Sequence, residues 1–288
     1  MFRKGVPFLV LFIGLLLGFS ACSEYNKVVK GTDLKKKYDT AIALYNDGKY
    51  FKAYPLFEEL ATIYRGTGRA EKVYYYYAFT EFGLGQMDAA SYRFETFYKS
   101  FPKSEYAEEC QFMSAYCFYL NSPNYSLDQT STYQAIQQLQ LFIDQYPLSQ
   151  RVDSCNVLVD KLRGKLERKA YETAKLYYKT QYYRSAIVAY ENMLIEFPDS
   201  DYREESTFMI FKANYRMAIG SVERLKLERL NTAMKAYVKF VDAYPESKYI
   251  REAEQMYDNA LREKEKLSTP NSYSTIWTSR NLTLRHLP

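Results

Sequence analysis

Residues 186–200 read AIVAYENMLIEFPDS, and the same pattern recurs as ASYRFETFYKSFPKS at 90–104, AIQQLQLFIDQYPLS at 135–149 and AMKAYVKFVDAYPES at 233–247. Each copy begins with alanine: Ala90, Ala135, Ala186 and Ala233. Four residues on stands Phe94, Leu139, Tyr190 or Tyr237, and three further Phe97, Phe142, Met193 or Phe240. An aromatic–proline pair follows (Phe101-Pro102, Tyr146-Pro147, Phe197-Pro198, Tyr244-Pro245), and then Ser104, Ser149, Ser200 or Ser247. Steps of four, three and four place the large residues on one face of a helix. Proline ends that helix because it cannot donate the backbone bond the next turn needs. Serine can cap the following helix by accepting from an unpaired first-turn amide. The small alanine lets two helix backbones approach.

The prolines are 45, 51 and 47 residues apart, so the unit is a helical hairpin repeated along the chain. A degenerate first copy holds Ala53, Phe57, Leu60 and Tyr64, with Arg65 in place of proline. Gly48 with Tyr50, then Gly85 with Met87, occupy the turn inside the first two hairpins. The pattern resembles the tetratricopeptide repeat and implies an all-α fold, a superhelical stack of about five hairpins. The expected repeats are 34–67, 68–104, 105–148, 149–200 and 201–246, with a capping helix over 248–266, forming a domain over 34–266. Insertions at 121–131 and 220–229, and one long helical stretch between Ser149 and Thr180, account for the long spacings. The acidic pairs Glu108-Glu109 and Glu204-Glu205 fall where a helix N-terminus favours negative charge.

The N-terminus has the form of an export signal. Arg3 and Lys4 precede an apolar run from Val6 to Phe19, then Ser20, Ala21 and Cys22. The run is shorter than the ~20 residues of a comfortable membrane span. A cysteine after a small-residue pair resembles the lipobox of bacterial lipoproteins, with Phe19 where leucine is usual. That resemblance implies a signal peptide over 1–21, cleavage before Cys22, and acyl chains on Cys22 as the membrane anchor. Residues 22–33 are read as a lipid-anchored linker and 267–288 as an extended or disordered tail. Loss of 21 residues and two cations lowers the net charge from +5 to about +3 over 267 residues. Such a balance argues against nucleic acid as a partner.

Residue counts exclude much chemistry. The single histidine, His286, cannot build a triad or a metal cluster. Besides Cys22 there are Cys110, Cys117 and Cys155, without a CxxC pair. They read as buried thiols, with one disulfide as the alternative. No phosphate-binding loop or hydrolase motif is present, so no enzyme activity, metal or cofactor is expected. The 31 tyrosines instead suggest packing, and in part a peptide-binding surface. By the register of the repeat, Tyr38, Ile42, Tyr45, Tyr75, Phe79 and Phe82 face the groove of the first two hairpins.

A lipobox followed at once by about five such repeats resembles the BamD family, lipoproteins of the outer-membrane β-barrel assembly machine. The likeness is densest from Tyr133 to Pro198, through Leu162, Leu166, Tyr171, Ala174 and Tyr177-Tyr178, and extends over roughly 22–260. It implies a scaffold facing the periplasm that binds BamA and other assembly components through its C-terminal repeats. The N-terminal repeats would receive unfolded outer-membrane proteins. The chain departs from the family in carrying Leu127-Asp128-Gln129-Thr130 where many members have Asp-Arg-Asp, and Val188-Ala189 where they have Asn-Arg. Arg184, one turn earlier, is the expected partner-binding residue. The alternative is another periplasmic tetratricopeptide lipoprotein that coordinates cell-envelope enzymes. Replacing Cys22 by serine is expected to abolish both the lipid mass increment and fractionation with the outer membrane. A serine variant that keeps both contradicts the anchor.

Overall fold

The computed structural model describes residues 24–268, so the expected signal peptide over 1–21, Cys22 and the residues beyond Ser268 lie outside the described residues. Within them are twelve helices and no strand. Helix α1 spans 24–30. It is followed by α2 (Leu34–Asn46), α3 (Tyr50–Ile63), α4 (Ala70–Gly83), α5 (Met87–Ser100), α6 (Ala107–Asn121) and α7 (Thr130–Gln145). Then come α8 (Val152–Lys179), α9 (Tyr183–Glu196), α10 (Arg203–Ile219), α11 (Glu223–Ala243) and α12 (Ile250–Ser268). Two compact units meet at Arg163/Gly164, within α8, where the sequence reads as one repeat domain.

The repeating residues form the core. Ala53, Ala90, Ala135, Ala186 and Ala233 are all fully buried. So are Phe57, Phe94, Leu139 and Tyr190, and, one turn later, Leu60, Phe97, Phe142 and Phe240. In the first unit they join α2, α3 and α4 around Ala53 and Phe57, α4 to α6 around Phe94 and Cys110, and α6 to α8 around Leu139 and Cys155. In the second unit Tyr171, Ala174, Ala186 and Tyr190 bind α8 to α9, and Phe208, Phe240 and Met256 bind α10 to α12. Cys110, Cys117 and Cys155 are free and buried, and burial raises all three thiols, Cys155 to about 11 and Cys117 to about 12.

Proline acts on the residue before it. Phe101, Tyr146, Phe197 and Tyr244 all leave helical geometry at φ between −125° and −139° and ψ between 59° and 74°. Tyr64, followed by Arg65, stays near φ −86° and ψ 4°. Pro55, by contrast, stands inside α3 just past its first turn. The Phe51 carbonyl that proline leaves without its helical donor belongs to a residue 84% exposed, where water can serve it.

Inside the hairpins, Gly48, Gly85 and Gln181 take left-handed backbone at φ 70°, 75° and 65°. At each, two bonds close the end of the first helix, as in Gln181 N–H to the Tyr178 carbonyl and Tyr182 N–H to the Tyr177 carbonyl, 3.0 and 2.9 Å. Gln181 thus fills a place that glycine fills without steric cost. The long copies are explained locally. Residues 122–129 form a loop tied by Gln129, whose amide donates to the carbonyls of Asn124 and Leu127 at 2.8 and 3.0 Å. The 220–229 insertion is mostly helix and lengthens α11. The stretch after Ser149 is the 28-residue α8.

One expectation is corrected. The linker expected over 22–33 is helical at 24–30 and packed, with Val28 only 6% exposed in the core of the first hairpin. A seven-residue helix has no stability of its own, so tertiary burial is what forms it. For the buried alanines, Ala186→Trp and Ala233→Trp should overpack α9 and α11 and cost about 1–3 kcal/mol or more each. Thermal melts would register this as a clear drop, while the exposed Lys179→Ala should melt near wild type.

Candidate functional site

Each serine of the aromatic–proline–x–serine motif does two things. Its oxygen accepts from the N–H two residues on, at Tyr106, Arg151, Tyr202 and Tyr249, 3.0–3.1 Å. Its hydroxyl donates to a glutamate on the first helix of the hairpin before. Ser104 pairs with Glu71, Ser149 with Glu108, Ser200 with Glu167 and Ser247 with Glu204, at 2.5–2.6 Å. Helix entry is therefore through a tight turn, and the capping side chain also ties hairpin to hairpin.

The glutamate carries a second part of the junction one turn later. Tyr75, Phe112, Tyr171 and Phe208 stand four residues beyond the four glutamates. The residue two after each serine lies over that ring. Tyr106 meets Tyr75 at 4.5 Å, the Arg151 guanidinium meets Phe112 at 4.6 Å, Tyr202 stacks on Tyr171 at 4.2 Å and Tyr249 on Phe208 at 4.6 Å. The acidic pairs work in both directions. Glu108 accepts from Ser149 while Glu109 accepts from Tyr75 at 2.8 Å, and the charge of Glu205 acts on Tyr171. Burial first, and these carboxylates second, hold both tyrosine hydroxyls far above their ordinary range, as neutral donors. The pattern is visible in the sequence as Glu-x-x-x-aromatic followed by Ser-x-Tyr or Ser-x-Arg.

The first junction lacks this latch. Leu34 stands four residues before Tyr38, where a glutamate would be, and Thr67 takes the serine's place. The Thr67 hydroxyl donates to the Tyr64 carbonyl at 2.7 Å, within its own turn. Arg69 lies over Tyr64 at 5.8 Å rather than over Tyr38. A cleft of about 490 Å³ opens here. Its aromatic walls are Tyr38, Tyr64 and Tyr106; Lys35, Arg69 and Lys72 stand against Asp39, Glu71 and Glu105.

Of the six residues expected to form a groove, Tyr38 alone lines this cleft. Ile42 and Tyr45 are half-buried against the first core, with Tyr45 edge-on to Tyr50 and Tyr76 at 5.6 and 5.2 Å. Burial raises the Tyr45 hydroxyl to about 12. Tyr75 is the junction ring described above. Phe79 leans on fully buried Phe94 at 4.8 Å, and Phe82 reaches Tyr116 at 6.4 Å. In the second unit Arg184 is exposed on α9, one turn before exposed Val188, with Ile195 78% exposed further along. Cys22 lies outside the described residues.

Helical hairpins locked in series, with an open aromatic cleft at one junction, define a tetratricopeptide-type scaffold. Residues 31–230 match the YfiO family of outer membrane lipoproteins, and the chain belongs to that family. No curated protein matches it. Among solved structures it resembles a thermophilic tetratricopeptide protein of Thermus thermophilus at 15% identity. That match covers 79% of this chain and 98% of the other with a TM-score of 0.31, a likeness too low to bear on the fold.

Beneath the cleft's hairpins lies a buried charge. Glu81, 1% exposed, accepts from Arg93 Nε at 3.2 Å. Arg93 also covers the Tyr77 ring at 4.5 Å and donates to its hydroxyl, which in turn meets Tyr54 at 3.3 Å. Glu81 Oε2 has no partner. Burial pushes this carboxyl above its ordinary range, although Arg93 pulls the other way. The folded chain therefore holds the proton more tightly than the unfolded one, and stability from this group grows as pH falls through the raised folded value. Wild type should gain melting temperature relative to Glu81→Gln as pH is lowered from neutral toward the ordinary carboxylate range. A pH-independent difference between the two melts contradicts this.

Proposed function

We propose that this chain is an outer-membrane β-barrel assembly factor, a non-catalytic scaffold anchored by acyl chains on Cys22 and facing the periplasm. It binds BamA and receives unfolded outer-membrane proteins. The observation that carries the reading is the open first junction in a member of an outer membrane lipoprotein family. Every later junction among the described residues fills this position with its own glutamate and ring contact. The first presents Tyr38 beside the cations Lys35, Arg69 and Lys72. An extended segment ending in an aromatic residue and a carboxylate supplies the ring that Tyr38 lacks, and its carboxylate competes with Asp39, Glu71 and Glu105 for the three cations. BamA contact falls to the exposed face of α9, with Arg184 and Val188.

Tyr38→Ala with Lys72→Ala should fold, because neither side chain is fully buried. It should bind a barrel protein's C-terminal peptide roughly 30- to 700-fold more weakly, as loss of two anchors of about 1–2 kcal/mol each implies. Its BamA binding should stay within a few-fold. Arg184→Glu with Val188→Asp should give the reverse. Peptide titration and BamA pull-down on both variants test the division of labour. Wild-type protein that captures neither peptide nor BamA defeats the proposal and favours a coordinator of envelope enzymes.

A further inference from the structure

We propose that the N-terminal end of the first hairpin is a membrane-seated surface, in which Phe51 enters the lipid interface and Lys27, Lys30 and Lys52 meet anionic phospholipid headgroups. This rests on the reading that Cys22 is acylated. A single residue, Ser23, separates Cys22 from Glu24. Covalent geometry keeps the Cys22 and Glu24 α-carbons within about 7 Å of each other. From Glu24 onward the chain is docked on the hairpin, not free. Val28 is buried with Ala41, Ala53 and Leu56. The Tyr25 hydroxyl donates to the Lys52 carbonyl at 2.9 Å, across 27 residues of sequence. The Lys52 ammonium lies 5.6 Å from the Tyr25 ring centre.

The start of α3 is thereby tied to the point where the acyl chains must enter the bilayer. At that point the protein exposes what a phospholipid surface accepts. Phe51, beside Lys52, is 84% exposed. Lys27, Lys30 and Lys52 are exposed as well, and Lys49 is paired with Asp47 at 2.8 Å. Residues 24–52 hold seven lysines against four carboxylates; Lys37 is buried against Glu59 and the other six are exposed. Acyl chains, an aromatic side chain and lysines together give a firm seat where one signal alone gives a marginal one. A docked α1 also fixes which way the repeats face, because a flexible linker would leave the first hairpin free to turn.

The test uses the acylated full chain in vesicles of phosphatidylethanolamine and phosphatidylglycerol, with and without bromine on the acyl chains. The only tryptophan, Trp277, is replaced by phenylalanine, and F51W or Y92W is added to that background. Tyr92 is a fair control, 63% exposed on α5 of the same unit. Bromolipid should quench F51W about twofold or more over Y92W, with a blue shift of emission for F51W alone. Acylated, vesicle-bound protein whose F51W is quenched no more than Y92W overturns the membrane seat and leaves the anchor standing. Strong quenching of both overturns the assignment of this face. A mass without acyl chains overturns the anchor and the seat together.

Discussion

One bond type sets the spacing of this chain: a serine hydroxyl given to a glutamate of the hairpin before. It closes over 33, 41, 33 and 43 residues in the four copies, yet the local geometry is the same each time. The extra residues of the longer closures leave the junction untouched. They are looped out at 122–129 in one copy and added to the start of α11 in the other. The bond is charge-assisted and partly buried, so each is worth on the order of 1–2 kcal/mol. Its larger effect is geometric. It sets the ring four residues after the glutamate against the side chain two residues after the serine, so each hairpin is positioned by two side-chain contacts as well as by core packing.

The open first junction follows from the same rule. With Leu34 in the glutamate's place, nothing draws Thr67 toward α2, and its hydroxyl turns back to the Tyr64 carbonyl. Tyr38 is left beside a cleft instead of beneath a stacked partner. A repeat protein whose units contact mainly their neighbours tolerates one incomplete junction without losing the rest.

Much of the fold was legible because it rests on periodicity. The fully buried Ala90, Ala135, Ala186 and Ala233 could be read from spacing alone, as could the helix ends at the four prolines. What escaped depends on tertiary contact. Glu108 and Glu109 look alike in sequence, but one serves the next hairpin and the other the previous one. Helix α1 has no periodic signal in seven residues and exists because Val28 and Tyr25 find partners far along the chain. Pro55 would argue against a helix that continues through it. Tyr75 and Phe79 have the amphipathic look of groove residues; both are partly buried, Tyr75 against Tyr106 and Phe79 against Phe94, contacts that spacing alone does not reveal.

The serine–glutamate bond at the junction beside the cleft joins Ser104 to Glu71. A double-mutant cycle of Ser104→Ala and Glu71→Ala, read by denaturant unfolding, isolates it. A coupling of about 1 kcal/mol is expected, with loss of Glu71 costing little once Ser104, which also caps the Tyr106 N–H, has been removed. Strictly additive losses, with no coupling, would contradict it.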